Sequence, residues 1–313
     1  MCSRHGPTTI WAREDEVVEG INGRHQNNVY LSGFTLPASL RATRSLQEAV
    51  GRAEVVVMAV PSPYFRAVLD QAAPFVRREA PIMSVAKGLE PSTLLRMTEV
   101  TAEILPDNPS AVLSGPNLAR EIMAGYAAGA VVASRDNGVA KHLQGVFNRD
   151  LYRVYTTHDV VGVEAAGALK NVIAIAAGMA DGVGVGDNTR ALVISRGLAE
   201  LTRLGVAMGG EPQTFAGLAG LGDLLATCIS PLSRNRCVGE QLGKGRKLDE
   251  IVAEMHMVAE GVHTCEVILQ LAQRYDVAMP ISREIYRVVR EGLSPLEAYR
   301  GLVRHHPPGC ETD

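Results

Sequence analysis

The chain has 313 residues, 46% of them hydrophobic and 21% charged, and its formal net charge at pH 7 is −3. This composition is typical of soluble globular proteins and excludes bulk disorder. The near-neutral charge argues against nucleic acid or an anionic membrane as a general partner. At about 150 residues per domain, the length predicts two domains. Only five of the 31 basic residues are lysines, so we expect lysine to be kept where its chemistry is needed.

The cysteines and the apolar segments predict a cytoplasmic protein. The five cysteines form no CxxC pair and no Cys/His cluster with zinc spacing, so we expect reduced thiols and no metal. The first residues lack the apolar core of a signal peptide. Residues 160–186 are apolar enough to suggest a transmembrane helix, but Glu164, Lys170 and Asp181 would be costly in hydrocarbon. We therefore predict a buried helix and no membrane insertion.

Short apolar runs alternate with amphipathic stretches through the first half of the chain. The runs predict strands at residues 8–11, 54–60, 81–86, 111–114, 129–134 and 152–156. The intervening stretches predict helices at residues 45–50, 65–75, 94–105, 118–124 and 139–147. The continuous apolar run at 54–60 predicts a fully buried strand. The alternation predicts a nucleotide-binding α/β domain over residues 1–159, with a parallel sheet covered by helices on both faces.

The pattern changes to helices alone after about residue 159. Long helical stretches are predicted at residues 160–180, 191–208, 248–257, 265–275, 282–291 and 295–303. They indicate an all-α domain over residues 160–304, followed by an unstructured tail at 305–313.

Polar or cationic residues follow three predicted strands of the sheet. These strands end in Pro61-Ser62-Pro63, in Lys87-Gly88 and in Gly115-Pro116-Asn117. Ligands bind beyond the carboxyl ends of strands in open α/β sheets, so these ends are candidate site positions. Gly and Pro could equally serve only to turn the chain. Lys87 fits that alternative less well, because a lone lysine at a buried strand end needs an anionic partner.

Arg13 follows the first predicted strand. An arginine at the end of the second strand of a dinucleotide-binding sheet suits the 2′-phosphate of NADP, whereas an acidic residue there favours NAD. Arg13 therefore favours NADP. The alternative is that Arg13 pairs with Glu14 or Asp15, which follow at once.

Lys170 lies in the apolar segment 163–179, where Glu164 is the other ionisable residue. A lysine buried on such a helix has a lowered pKa, which suits it to proton transfer. Arginine could not replace it, because arginine does not deprotonate in proteins. The alternative is a lysine that extends to solvent or pairs with Glu164.

Residues 217–238 combine a Gly-rich turn with a polar cluster. Asp223 follows the turn, and Ser233-Arg234-Asn235-Arg236 places a hydroxyl, two guanidiniums and an amide together. These groups suit a phosphate. A solvated turn is the alternative for this cluster on its own.

Taken together, these motifs resemble the bacterial NAD(P)-dependent glycerol-3-phosphate dehydrogenase family from Trp11 to about residue 303. The resemblance rests on residues 11–13 (WAR), 28–33 (NVYLSG), 59–62 (AVPS), 86–90 (AKGLE), 113–117 (LSGPN), 167–181 (GALKNVIAIAAGMAD), 195–200 (SRGLAE), 217–223 (GLAGLGD), 230–236 (SPLSRNR) and 258–262 (VAEGV). It implies a Rossmann-type domain followed by an all-α domain, reduction of dihydroxyacetone phosphate to sn-glycerol 3-phosphate for phospholipid synthesis, and a homodimer.

The resemblance also implies roles for individual residues. Lys170 matches the lysine that transfers the proton, and Lys87 matches a lysine that touches both cofactor and substrate. Further substrate-binding positions are matched by Gly115, Asn117, Asp223, Ser233, Arg234 and Asn235. Cofactor contacts, to NADP or NAD, are matched by Arg13, Lys87, Ala119, Arg234, Val258 and Glu260.

The chain departs from the family pattern in two places. Asn117 stands where Ser or Thr is usual, and its longer amide can shift the fit of the substrate. Residues 1–5 resemble the end of the helix that follows the family's first strand and Gly-x-Gly-x-x-Gly turn, so the α/β domain is expected to be truncated at its N-terminus. Either the given start is internal to a longer natural protein, which the intact remainder of the site favours, or the chain is truly shortened. We expect this polypeptide to bind NADPH poorly or not at all, and a micromolar dissociation constant would contradict that.

Two other functions remain open from the sequence. One is a hydride-transfer enzyme of the same build that acts on a different hydroxy acid, against which the phosphate-suited cluster at 233–236 argues. The other is a shortened, non-catalytic relative that serves in binding or subunit association.

Overall fold

The structure, a computed structural model, describes residue 3, residues 6–255 and residues 259–305. The chain forms two compact units. The first comprises the described residues up to Ala86 together with Met97–Val160, and the second comprises Lys87–Arg96 together with the described residues from Val161 onward. Residues 87–96 thus pack with the second unit, although the sequence places them inside a first domain of residues 1–159.

The described strands lie in the first unit and the longest helices in the second. The strands are β1 (Thr8–Trp11), β2 (Leu40–Thr43), β3 (Val56–Met58), β4 (Ile82–Ser84), β5 (Ser110–Ser114), β6 (Ala128–Ala133) and β7 (Tyr152–Thr157). The helices of the first unit are α1 (Asp15–Arg24), α2 (Leu46–Val50), α3 (Ser62–Ala72), α4 (Met97–Ile104), α5 (Ala119–Met123) and α6 (Asn137–Phe147). Those of the second unit are α7 (Val160–Val183), which begins at the boundary, α8 (Asp187–Ala207), α9 (Pro212–Ala216), α10 (Asp223–Ile229), α11 (Arg234–Gly243), α12 (Leu248–Glu254), α13 (Glu260–Arg274), α14 (Pro280–Glu291) and α15 (Pro295–His305).

The strands form two sheets. Strands β3 to β7 lie side by side in chain order, and β1 pairs with β2 in a separate two-stranded sheet. All pairs are parallel except β5 with β6, where Leu113 faces Val132 in an antiparallel register. The expected α/β architecture is therefore present, but β6 and β7 run opposite to β3–β5, and the strands are divided between two sheets.

Two expectations about the first unit were wrong. The run at 54–60 forms a shorter strand, β3, in which Val57 is 42% exposed. The reason is that β3 is the terminal strand of its sheet, so its side chains have neighbouring strand residues on one side only. The helix expected at 94–105 begins only at Met97, because Leu94 has φ 64° and lies in a turn.

Helix α1 and strand β2 were not predicted from the sequence. Glycines at 20 and 23 interrupt the apolar pattern of α1, although Asp15 and Glu16 in its first turn and Arg24 in its last are favourable end signals. β2 is four residues long, and its alternation is too brief to distinguish it from a loop.

Helix α7 is the core of the second unit. Its apolar residues contact the surrounding helices on all sides, and 94% of its most apolar stretch is buried within the protein. It has the length and composition to cross a membrane, but helices buried in a protein core can have the same length and composition. No strand occurs among residues 161–255 and 259–305, as expected for an all-α domain. His305, placed in the predicted tail, is the last residue of α15, and the rest of that tail lies outside the described residues.

Helices α7 and α11 approach each other through paired glycines. A Cβ atom added to Gly239 of α11 would lie 2.0 Å from the backbone oxygen of Ile175, and one added to Gly178 of α7 would lie 2.0 Å from that of Arg236. Backbone atoms cannot yield as a flexible side chain can, so these positions require glycine. The close contact brings the start of α11 beside the middle of α7.

We expect Gly239→Ala to destabilise the protein by about 1–3 kcal/mol, because the added methyl group forces the two helices apart. Gly145→Ala in α6 is the matched control, since a Cβ there meets nothing within 4 Å. That change should stabilise the protein by roughly 0.5–1 kcal/mol through helix propensity. Urea unfolding measures both, and a stabilising Gly239→Ala would contradict the packing argument.

Candidate active site

Lys170 is buried in the second unit and is held by α10. Its side chain is 5% exposed, and its Nζ donates to Oδ1 of Asp223 at 2.6 Å and to Oγ1 of Thr227. Thr227 lies one helical turn after Asp223 and donates its own proton to the Asp223 carbonyl oxygen at 2.6 Å. The hydroxyl therefore accepts from the ammonium group, so the buried Lys170 ammonium has two polar contacts.

Both sequence alternatives for Lys170 were wrong. The side chain does not extend to solvent, and Glu164 is not its partner. Glu164 instead pairs with Arg96 at 2.7 Å. Six residues along a helix rotate the side chain by about 120° from the starting direction, so Glu164 and Lys170 face different neighbours.

Asp223 joins the two lysines of the site. Its Oδ2 accepts from Nζ of Lys87 at 2.6 Å, while its Oδ1 accepts from Lys170. The Lys87 side chain is 20% exposed and that of Asp223 only 3%. Lys87 thus has the anionic partner that a lysine at a buried strand end was predicted to need. The cluster of Lys87, Lys170 and Asp223 carries one net positive charge when all three are ionised.

The charged groups of this cluster shift one another's pKa values. Burial and the nearby Lys87 ammonium lower the pKa of Lys170 from 10.5 to about 8, against the opposing effect of Asp223. Burial by itself raises the pKa of Asp223, but the two ammonium groups outweigh it and hold that pKa below its ordinary value. Lys170 is therefore able to give up and regain a proton near neutral pH, while Asp223 stays ionised.

Asn235 connects three parts of the second unit. Its Nδ2 donates to Oδ1 of Asn171 at 3.0 Å, and its Oδ1 accepts from the Gly261 backbone N–H at 3.0 Å. Asn171 in turn donates to the backbone oxygen of Lys87 at 2.9 Å. Asn235 thereby fixes the starts of α11 and α13 against α7, so its amide is already engaged within the protein. Glu260, predicted to contact the cofactor, is the first residue of α13 and precedes Gly261.

The remaining residues of the cluster at 233–236 form the start of α11. Ser233 is the N-cap, and its Oγ accepts from the Arg236 backbone N–H at 3.3 Å. Arg236 pairs with Asp181 at 2.8 Å. Arg234 is exposed and has no ion-pair partner among the described residues. Of the two guanidiniums, only Arg234 is thus available to an anion at this helix N-terminus.

The other predicted site residues lie in the first unit. Gly115 directly follows β5 and has φ 140°, and a Cβ there would lie 2.8 Å from the Gly129 backbone oxygen of β6, so packing against the sheet alone requires glycine. Oδ1 of Asn117 accepts from the Tyr152 hydroxyl at 2.8 Å, whereas its buried Nδ2 has no partner among the described residues. Ala119 is the exposed first residue of α5.

Arg13 follows β1 and pairs with Glu14 at 3.0 Å. The alternative considered for it, pairing with a neighbouring carboxylate, is therefore observed. Its side chain is nevertheless 78% exposed, and an exposed ion pair of this kind is weak enough for a phosphate to displace it. The remaining predicted cofactor contact, Val258, lies outside the described residues.

Asn171 and Thr227 were not predicted to be neighbours of the lysines. The sequence contains a spacing that could have predicted each contact, because Asn171 follows Lys170 directly and Thr227 is one helical turn after Asp223. Arg96 and Glu164 were also missed as a buried ion pair, for which the sequence contains no spacing signal.

Comparisons with known proteins identify the family. The family model for the NAD-dependent glycerol-3-phosphate dehydrogenase N-terminus matches residues 1–140, and that for its C-terminus matches residues 159–300. The chain belongs to this family. A relative from Sphingopyxis alaskensis, named glycerol-3-phosphate dehydrogenase [NAD(P)+] 2, is 54% identical over 97% of this chain and 91% of its own length. One from Mycobacterium avium is 52% identical over 98% and 90%, respectively.

A solved glycerol-3-phosphate dehydrogenase from Coxiella burnetii has the same fold. It is 34% identical, with a TM-score of 0.93 over 97% of this chain and 93% of that one. The expected Rossmann-type domain followed by a helical domain is therefore confirmed, as is the family resemblance. These alignments do not support the expected loss of a leading strand and Gly-rich turn, which stays a prediction.

Proposed function

We propose that this protein is an oxidoreductase that reduces dihydroxyacetone phosphate to sn-glycerol 3-phosphate with NADPH or NADH. The observation that carries the proposal is the buried Lys170, whose pKa of about 8 arises in a cluster with Lys87 and Asp223. Relatives about half identical over nearly the whole chain carry this activity in their names. These relatives support an enzyme and give no support to a non-catalytic relative.

The residues of the second unit would act on the carbonyl group of the substrate. When bound, the nicotinamide cofactor supplies the hydride that reaches the ketone carbon. Lys170 donates a proton to the ketone oxygen, and in the reverse direction it accepts the proton of the hydroxyl. Lys87 adds a second positive charge that stabilises the negative charge developing on that oxygen. Asp223 keeps both ammonium groups in place.

A phosphate and a nucleotide each have suitable groups in the chain. The exposed Arg234 at the start of α11, capped by Ser233, suits the substrate phosphate. Arg13 at the end of β1 suits the 2′-phosphate of NADPH, which supports a preference for NADPH over NADH. The unpartnered Nδ2 of Asn117 is a buried donor available to a ligand oxygen.

The proposal is tested by following NADPH oxidation with dihydroxyacetone phosphate. Substrate-dependent oxidation is the expected result in this chain or in a version extended by a Gly-rich strand–turn segment. Oxidation with a 2-keto acid in place of the phosphorylated ketone would favour the other hydride-transfer enzyme. The absence of turnover with either, in this chain and in a version extended by a Gly-rich strand–turn segment, would contradict the enzyme proposal.

The rate should depend on pH through Lys170. Reduction needs the protonated lysine, so its kcat should fall as the pH rises through about 8, where oxidation of glycerol 3-phosphate should rise. Measuring kcat in both directions over the neutral and alkaline range checks the sign. If kcat changes only near pH 10.5, the ordinary pKa of lysine, then burial does not lower the pKa of Lys170.

We also propose a cytoplasmic homodimer. The cysteines described as free at 228, 237 and 265 suit a reducing compartment. Leu225 and Ile229 lie one turn apart on α10 and are both exposed, which provides an apolar face for a second copy. The glycines of α7 and α11 give no support to a dimer, because they pack within the chain. Analytical ultracentrifugation measures the state directly.

A further inference from the structure

Residues 87–96 leave the first unit after β4 and return to it at α4. We call this segment the lysine strap, since it begins with Lys87. Within the second unit, Leu89 is part of the main hydrophobic core, Leu94 packs against that core, and Glu90 is buried. The strap is therefore anchored in the unit that contains Lys170, not in the sheet from which it emerges.

The strap has a defined internal shape. The Glu90 N–H donates to the Leu95 oxygen at 2.9 Å, and the Leu94 N–H donates to the Glu90 oxygen at 2.9 Å. Leu94 has φ 64°, a conformation that is unfavourable for a residue with a side chain. Such a conformation persists only where the surroundings enforce it, which indicates that contacts with the second unit determine the course of the strap.

Helix α7 holds both ends of the strap. Asn171 donates to the Lys87 carbonyl at 2.9 Å, and Glu164 pairs with Arg96 at 2.7 Å. Glu164 and Asn171 are seven residues apart, so they lie on one face of the helix, separated by about 10 Å along its axis. The side chains of Arg96 and Glu164 are only 9% and 5% exposed, so bulk water has little access to this ion pair.

We propose that Arg96 and Glu164 are positioning residues, whose buried ion pair fixes the strap on α7 and so holds the Lys87 ammonium against Asp223. The proposal rests on the proposed function, since it assigns a role in that same site. The ion pair between Arg96 and Glu164 joins the lysine strap to α7. The two residues therefore act on the site through the position of Lys87.

The position of Lys87 has a measurable consequence for Lys170. Burial is the larger cause of the lowered pKa of Lys170, and the charge of Lys87 is the next. The other groups that face Lys170 are Asp223 and the Cys228 thiol, which raise that pKa, and the neutral Thr227 hydroxyl. If the strap loosens and Lys87 withdraws, the pKa of Lys170 should therefore rise.

The test compares Glu164→Gln and Arg96→Gln with the wild type. We expect the alkaline limb of the reduction rate to move up by about one pH unit, which is typical of losing a nearby charge. The KM for dihydroxyacetone phosphate should rise as well, because Lys87 is displaced. Arg96→Lys keeps the positive charge, so the alkaline limb of its reduction rate should lie close to that of the wild type. This variant can also be compared with the wild type if either Gln variant fails to fold.

Glu284→Gln is the matched control. Glu284 is a buried carboxylate of the same unit that pairs with Arg287 at 3.1 Å within α14. Its loss should leave the pH limb unchanged. A folded Glu164→Gln protein with the wild-type limb and KM would overturn the proposal.

A second readout separates this inference from the proposed function. Competitive labelling of Lys170 with acetic anhydride at different pH values, read by mass spectrometry, gives its titration without any turnover. If the wild type fails to reduce the ketone but the titration of Lys170 still shifts in Glu164→Gln, the proposed function fails and the positioning role stands. An unshifted titration overturns the positioning role whether or not the enzyme is active.

Discussion

Lys170→Ala should lower kcat for the reduction of dihydroxyacetone phosphate by about 10²–10⁴-fold, the usual contribution of a general acid. The Lys170 ammonium is the buried proton donor of the proposed mechanism, and the Lys87 ammonium is already engaged by the other oxygen of Asp223. Binding of the substrate should change little, because the phosphate has Arg234 and Lys87 still supplies positive charge. Steady-state kinetics together with a direct binding measurement separate the two effects.

A matched lysine variant and a chemical rescue sharpen this result. Lys141→Ala removes an exposed lysine of α6 and should leave kcat unchanged. Small alkylammonium ions should restore part of the turnover of Lys170→Ala, because they can enter the space left by the side chain and donate the proton. Wild-type turnover in Lys170→Ala would show that the assigned proton role is wrong.

Asp223→Asn should lower the free energy of unfolding by about 3–5 kcal/mol, since it removes the anion of a buried ion pair. Lys87 and Lys170 would then lie near each other without the negative charge of Asp223. The same change should lower the pKa of Lys170 further, because Asp223 favours its charged form. The alkaline limb of the reduction rate should accordingly move to lower pH, opposite to the shift expected when the lysine strap is released.

The stability loss should itself depend on pH. The pKa of Asp223 is held below its ordinary value of 3.8, so its contribution is complete above about pH 4 and declines as the pH falls through the folded-state pKa. Urea unfolding at several pH values should therefore show a difference between wild type and Asp223→Asn that shrinks in acid. Asp187→Asn is the control, because Asp187 is an exposed partner of Arg190 and its loss should cost under about 1 kcal/mol. Equal losses of unfolding free energy in the two variants would mean that the buried ion pair contributes no more to stability than the exposed one.

Several elements of the fold followed from local patterns. The apolar runs that became β4 to β7 and the long apolar helix α7 were recognisable because strand and helix place their buried side chains with different periods. The shortness of β2 and the glycines of α1 hid those elements. Neither the reversal of β6 and β7 nor the exposure of Val57 could be predicted from the sequence, because both depend on which strand lies alongside.

The sequence by itself determined the family and singled out Lys170 and Lys87, because lysine is rare in this chain and both occur beside recognisable motifs. Only the tertiary structure decided their partners. Glu164 is six residues from Lys170 yet faces another direction around the helix, whereas Asp223, 53 residues away, binds both lysines. The tertiary structure also shows that residues 87–96 pack with the helical unit, although their place in the sequence lies between strands of the sheet unit. Ion pairs in the interior are set by which faces pack together, and a linear pattern of residues does not contain that information.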